Sequence, residues 1–194
     1  MLGLSQTGYI YKVLERFSMQ NSKKGLLPFR HGVPLSNDQR PKTHEEENMM
    51  RQVPYAFAVG SLMYAMLCTR LDICYSVGMV SRYQSNPGPK HWQAVKHILK
   101  YPRRTRDYML VYWCEDLIPI SYTDSDFQSD LDFRKSTSGC VFTLRGGAIS
   151  WRSTKQSCIV DSTMEVEYVV ACETAKEAVW FNKFLSNLGV MKME

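Results

Sequence analysis

The chain has 194 residues, 44% of them hydrophobic, enough for one large domain or two small ones with their own cores. Its net charge of +5 divides unevenly, +10 over residues 1–106 and −5 over residues 107–194, which suggests two modules with different surfaces. The apolar stretch "VGSLMYAMLC" is ten residues, too short to span a bilayer, and "MLGLSQTGYIYKVLERF" has no continuous apolar core of a signal peptide.

In chain order, Ile10, Val13, Leu14 and Phe17 recur at helical spacing, with Ser5 or Thr7 placed to cap the helix. Residues 21–54 are rich in Pro, Gly and charge and read as a long extended connection. The run Glu45–Glu47 within it reads as a solvated helix start. Residues 55–84 read as two helices broken near "CTRLD", the first of them buried. Residues 90–101 form a third helix, with Trp92, Val95, Ile98 and Leu99 on one face and Pro102 expected to end it. Lys96, Lys100, Arg103, Arg104 and Arg106 cluster at and after this helix and are the candidate nucleic-acid-binding residues. A solvated helix face followed by a basic turn is the plainer alternative.

After Arg106 the texture changes. "YMLVYW", "IPISYT", "SGCVFTLR" and "AISWRS" are short runs of β-branched and aromatic residues, with Gly146-Gly147 as a hairpin turn between the last two. A long helix is expected from about Thr163 to Leu188. Six cysteines without a C-x-x-C pair read as small core residues in a reducing compartment.

Two acidic positions stand out. Ser162 and Glu165 form a capping box, which gives Glu165 a structural role. Glu167 leads a stripe through Ala171, Thr174, Ala178, Phe181, Leu185 and Leu188 that is expected to pack on the sheet. A charge at the head of such a stripe needs compensation or water. Asp124 ends "IPISYT", and alternation puts it with Ile118, Ile120 and Tyr122 on one face, expected to be the helix-facing one. Asp126, Asp130 and Asp132 follow, expected to be solvated and balanced by Arg134 and Lys135. A strand-end aspartate opposite a helix-start glutamate is half of a divalent-metal cluster.

"LSQTGYIYKVLERFSMQN", the run from Pro54 to Tyr101, "YTDSD", "RKSTSG", "GGAISW" and "STMEVEYVVACETAKEAVW" together resemble copia-type retrotransposon Pol polyproteins. The resemblance implies an α+β chain. Residues 1–106 correspond to the helical thumb and connection that end reverse transcriptase. Residues 107–194 correspond to the first part of a ribonuclease H domain, with one long helix. It implies that Asp124 and Glu167 are metal ligands for Mg²⁺ or Mn²⁺ and catalytic residues toward an RNA/DNA hybrid. It also implies that only two of four expected carboxylates fall in this stretch, so cleavage by the chain alone is not expected. The polymerase aspartates have no counterpart here. Expected partners are RNA/DNA hybrid or other nucleic acid, the remainder of a polyprotein, or a second copy, with no membrane.

The expected compartment is intracellular, cytoplasm or nucleus. An alternative, also from resemblance, is a secreted RxLR-type effector delivered to a host cell to suppress cell death. Against it, "FTLR" at Phe142–Arg145 lacks the leading arginine of that motif.

Overall fold

Residues 1–29, 34–113 and 118–189 are described by a computed structural model. They form two compact units, one of Leu4–Met109 and one of Met1–Gly3 with the chain from Leu110 onward. Six helices and two small sheets make the chain α+β, as expected. The order is β1 (Leu2–Ser5), α1 (Thr7–Arg16), α2 (His44–Arg51), α3 (Tyr55–Cys68), α4 (Cys74–Ser81), α5 (Pro89–Arg104), β2 (Met109–Tyr112), β3 (Ile120–Ser125), β4 (Thr137–Leu144), β5 (Gly147–Lys155) and α6 (Thr163–Asn187). No helix among the described residues is long and apolar enough to cross a membrane.

Helical spacing builds the first unit. Ile10, Val13 and Leu14 of α1 enter a core with Ala58, Val59, Leu62, Val77, Val80, Val95, Ile98 and Leu99. The glutamate run does start a solvated helix: Thr43 Oγ1 accepts the Glu46 N–H at 3.2 Å, and Glu46 Oε2 accepts the Lys42 N–H at 2.8 Å. That reciprocal pair satisfies two orphan donors. The break at "CTRLD" is a 3₁₀ turn over Leu71–Ile73. It is built around Arg70, which is 2% exposed.

Three expectations need correction here. Helix α3 is buried along only one side, since Phe57, Tyr64 and Leu67 are exposed. Pro102 does not end α5, which continues to Arg104. The proline removes a single N–H in the last turn, and Thr105 gives both its N–H (3.0 Å) and its hydroxyl (3.1 Å) to the Tyr101 carbonyl. The cysteines are not core residues. Cys68 and Cys158 are exposed, Cys74, Cys140 and Cys172 are half-buried, and none of these five is in a disulfide; Cys114 lies outside the described residues.

In the second unit β3, β4 and β5 form an antiparallel meander with β3 at an edge. Tyr122 pairs with Val141, and Val141 with Trp151. The β4–β5 turn is Arg145-Gly146, both at positive φ (53° and 75°), as a two-residue type I′ hairpin requires. Gly147 is needed for another reason, because a Cβ there would lie 2.4 Å from the Tyr112 ring. Strand β1, absent from the sequence reading, pairs with β2.

The face of α6 that packs on the sheet includes Thr174, Phe181 and Leu185 of the expected stripe and is offset from it in the first turns. Val166, Val170, Thr174 and Leu185 are its buried residues, while Glu167, Ala171 and Leu188 are exposed. Val166, one position earlier than Glu167, leads the stripe. Dehydrating a valine is favourable and dehydrating a carboxylate is not, so the helix turns its glutamate outward.

Candidate functional site

The capping box at the start of α6 forms, shifted by one residue. Ser162 Oγ accepts the Glu165 N–H at 3.2 Å, and Glu165 Oε2 accepts the N–H of Asp161, at 2.9 Å. Glu165 is thereby committed to the helix end. Glu167, two residues on, is exposed and free to reach across to the sheet.

It reaches Ser125. The Ser125 hydroxyl donates to Glu167 Oε1 at 2.7 Å, which ties the end of β3 to the first turns of α6. Strand alternation then sets the faces. Ser121 pairs with Phe142 and Thr123 with Cys140. Phe142 packs on Phe181 of α6, and Cys140 meets Glu177 of the same helix. The helix-facing residues of β3 are therefore Ser121, Thr123 and Ser125. Asp124 alternates with Tyr122 and Ile120 onto the other, exposed face. The expectation that Asp124 shares the helix-facing side is corrected: the strand register is offset by one residue from the one inferred from its apolar positions. Ile118, also assigned to that face, lies outside the strand.

The neighbouring aspartates are not the solvated set that the sequence suggested. Asp126 Oδ1 accepts the Thr137 N–H at 2.7 Å, and its Oδ2 accepts the Ser129 hydroxyl at 2.6 Å, pinning the β3–β4 connection. Asp130 is 2% exposed and paired with Lys155 at 2.8 Å. Asp132 is half-buried. Lys135 donates to the Ser157 carbonyl. Further along the α6–sheet interface, Glu177 Oε1 accepts from Ser150 Oγ at 3.3 Å and its Oε2 lies 3.9 Å from Cys140 Sγ. Burial first, and the Glu177 charge second, push the Cys140 thiol pKa up.

A Mg²⁺ or Mn²⁺ ion demands several oxygen ligands converging on one point. Asp124 and Glu167 leave different faces of the joint. Among the described residues no three His, Cys, Asp or Glu side chains converge as a metal group. The residues present do not fit a divalent ion unaided.

The basic residues separate into two places. Lys96 and Lys100, one turn apart on α5, border a groove of about 630 Å³ with Lys23 and Lys24. Arg103 and Arg104 occupy the last turn of α5, and Arg106 is ion-paired with Asp107 at 3.3 Å. Sequence spacing missed Lys23 and Lys24, because nothing local brings residues 23–24 beside residues 96–100.

Comparison with known proteins gives the class. The chain is homologous to one segment of the retrovirus-related Pol polyproteins of transposons. It is 50% identical over 193 residues to the Pol polyprotein of transposon TNT 1-94 from Nicotiana tabacum, covering all of this chain and 14% of that protein. It is 31% identical over 190 residues to the Pol polyprotein of transposon RE2 from Arabidopsis thaliana, 97% of this chain and 13% of that one. A third relative, "Secreted RxLR effector protein 161" of Plasmopara viticola, is 43% identical over 132 residues, 68% of this chain and 93% of its own length. The chain thus spans about a seventh of the polyproteins it matches. No family model matches, and no solved structure does.

Proposed function

We propose that this retroelement-derived Pol segment is ribonuclease H-like in its second unit and corresponds in its first to the thumb and connection that end a reverse transcriptase. On this reading Asp124 and Glu167 are two members of a larger carboxylate set for Mg²⁺ or Mn²⁺ acting on RNA/DNA hybrids. The remaining members come from polyprotein sequence outside this chain or from a partner, so the chain alone does not cleave. The observation that carries the reading is the Ser125–Glu167 hydrogen bond. It sets a helix-start carboxylate beside the strand end that bears Asp124, a joint with no evident packing purpose for two exposed acids.

The test is incubation of the full chain with an RNA/DNA hybrid and Mg²⁺ or Mn²⁺, alongside a metal titration followed by amide NMR. Expected are no cleavage and a weak, millimolar-range perturbation confined to residues near Asp124 and Glu167, lost in Asp124→Asn. A flat titration would remove the ancestral metal site from consideration. Cleavage abolished by Asp124→Asn would instead mean that the chain is a working nuclease.

A second reading rests on the 132 residues shared with the effector-named protein: an interaction protein, secreted to act in a host cell. Expression of the full-length gene and detection of the chain in the medium supports it, and retention in the cell argues against it.

A further inference from the structure

The groove beside α5 has a composition that the nuclease reading does not use. One wall is α5, with Lys96 and Lys100; the other is the connection after α1, with Lys23, Lys24, Leu26 and Leu27. The two walls are fixed to each other. The Gly25 N–H donates to the Lys100 carbonyl at 2.8 Å, and a Cβ on Gly25 would sit 3.0 Å from the Lys100 Cβ and 3.1 Å from its backbone. Met19 is buried at the start of the connection, and Ser22 Oγ donates to its carbonyl at 2.7 Å. The groove is pre-formed, and a ligand that enters it does not have to order it.

Its charge is one-sided. No acidic residue lines it, and none of the four lysines has an ion pair among the described residues. Lys96 and Lys100 stand at i and i+4, a spacing at which like charges repel. An anionic partner relieves that repulsion. Its apolar part is aliphatic: Leu26 and Leu27 are 73% and 58% exposed, a cost in water unless something covers them.

The kind of anion follows from what lines the walls. Single-stranded nucleic acid is held by lysines and arginines along its phosphates together with several aromatic rings that stack on successive bases. Among the described residues the His97 imidazole is the one aromatic ring that lines this groove, no arginine does, and its apolar surface is otherwise aliphatic. Lysine ammoniums pair with carboxylates as well as with phosphates, and the exposed Leu26 and Leu27 beside them favour aliphatic knobs, the pattern of a helix-in-groove interface. We propose that this groove docks an acidic amphipathic helix of a protein partner, its leucine-type residues against Leu26 and Leu27 and its carboxylates on Lys23, Lys24, Lys96 and Lys100.

The test is fluorescence anisotropy on the full chain. The probe is a labelled peptide about four helical turns long, with Leu at i, i+3, i+4 and i+7 and Glu on the flanks. Comparators are the same residues scrambled and a single-stranded RNA of matching charge. Expected is binding weakened about tenfold by Leu26→Ser with Leu27→Ser, and by at least as much in Lys96→Gln with Lys100→Gln. All four side chains are substituted at exposed or half-buried positions, and circular dichroism checks that the variants fold. The scrambled peptide should bind about tenfold more weakly than the patterned one. Indifference to the leucine substitutions, equal binding of the scrambled peptide, or displacement of the probe by RNA at lower concentration than by unlabelled peptide would each overturn the proposal. The last would mark the groove as a nucleic-acid surface.

Discussion

Both units hydrogen-bond most of their buried polar groups, and they differ in how fully they bury their apolar ones. The helical unit holds its buried polar side chains through several specific bonds. Arg70 donates to both oxygens of Asp72 at 2.9 and 2.7 Å and to Thr105. His91, fully buried, accepts the Gly88 N–H at 2.8 Å on Nδ1 while its Nε2 meets the Ser36 carbonyl at 3.1 Å. Tyr55 and Tyr83 donate to the Val80 and Leu35 carbonyls. Around them lies a continuous aliphatic core. In the sheet unit the buried apolar residues are fewer, chiefly Phe142, Val160, Val166, Val170 and Leu185, while Tyr122, Tyr168 and Trp180 remain exposed. One unit closes its core by itself, whereas the other leaves a strand edge and much of a helix in water. The candidate chemistry sits in the second, where carboxylates are accessible, and the rigidity in the first.

The largest effect expected from that contrast comes from the buried ion pairs. Asp72→Asn leaves the Arg70 guanidinium, 2% exposed, without a charge partner and should destabilise the helical unit by about 3–5 kcal/mol. Asp130→Asn in the sheet unit removes a buried carboxylate from Lys155, but Lys155 is 28% exposed and regains water, so about 1–2 kcal/mol is expected. Urea unfolding of the two variants checks the order. Equal losses would erase the distinction between a sealed unit and an open one.

Next in size are two identical truncations. Leu62 is 2% exposed within the helical core, and Leu185 is 7% exposed near the end of α6. Leu62→Ala should cost about 4 kcal/mol, because its close-packed surroundings relax little. Leu185→Ala should cost about 2 kcal/mol, at the low end of the same range, since the last turns of α6 can settle toward the sheet. Thermal unfolding by circular dichroism measures both.

What the sequence made legible follows the same division. Helical periodicity located α1, α3, α4 and α5, because their apolar positions answer to one core. The short β-branched runs and the paired glycines located β3, β4 and β5. What failed was every feature decided by residues far apart. Strand β1 is only four residues long and exists by pairing with β2, about a hundred residues away. Asp130 reads as a loop acid until Lys155, on β5, comes beside it. The first turns of α6 were misjudged by one residue because a stripe beginning at Glu167 and one beginning at Val166 both run on to Thr174 and Leu185. Only the cost of burying a charge separates them. The offset in β3 has a similar origin: its apolar residues, Ile120 and Tyr122, are exposed, so hydrophobicity pointed to the wrong side. Asp124 and Glu167 were found as residues, but their relative orientation was not.

Proton linkage gives a smaller and directional comparison. Burial first, and Tyr83 second, push the Tyr55 phenol above its ordinary value of 10.0. Burial and Glu177 do the same for the Cys140 thiol relative to 9.0. In both, the folded state holds the proton more tightly than the unfolded one. The stabilisation is complete below the unfolded pKa and is lost as pH rises above it. The sheet unit should therefore begin to weaken near pH 9 and the helical unit near pH 10. Tyr55→Phe should cost about 1 kcal/mol at neutral pH, leaving the Val80 carbonyl only the Tyr83 N–H at 3.3 Å, and should flatten the helical unit's alkaline decline. Cys140→Ser should flatten that of the sheet unit. Stability measured between pH 7 and 11 decides it, and a decline unchanged in both variants would assign the linkage to other groups.

The smallest expected effect has the opposite sign. Gly60 lies within α3 on its exposed side, and a Cβ there meets nothing within 4 Å. Gly60→Ala removes backbone freedom from the unfolded chain at no steric cost and should stabilise by about 0.5–1 kcal/mol. Gly139, in β4 opposite Asp124, is the matching site in the sheet unit, with its Cβ at an ordinary 3.5 Å from the Asp124 carbonyl oxygen. Gly139→Ala should gain less, about half as much, since a strand rewards alanine weakly. If the strand variant gained as much as the helix variant, the open face beside Asp124 would be limited by backbone freedom and not by missing contacts. The sheet unit would then be a loosely held structure more than an uncovered one. A near-zero effect at Gly139 beside a clear gain at Gly60 would keep the contrast where packing puts it.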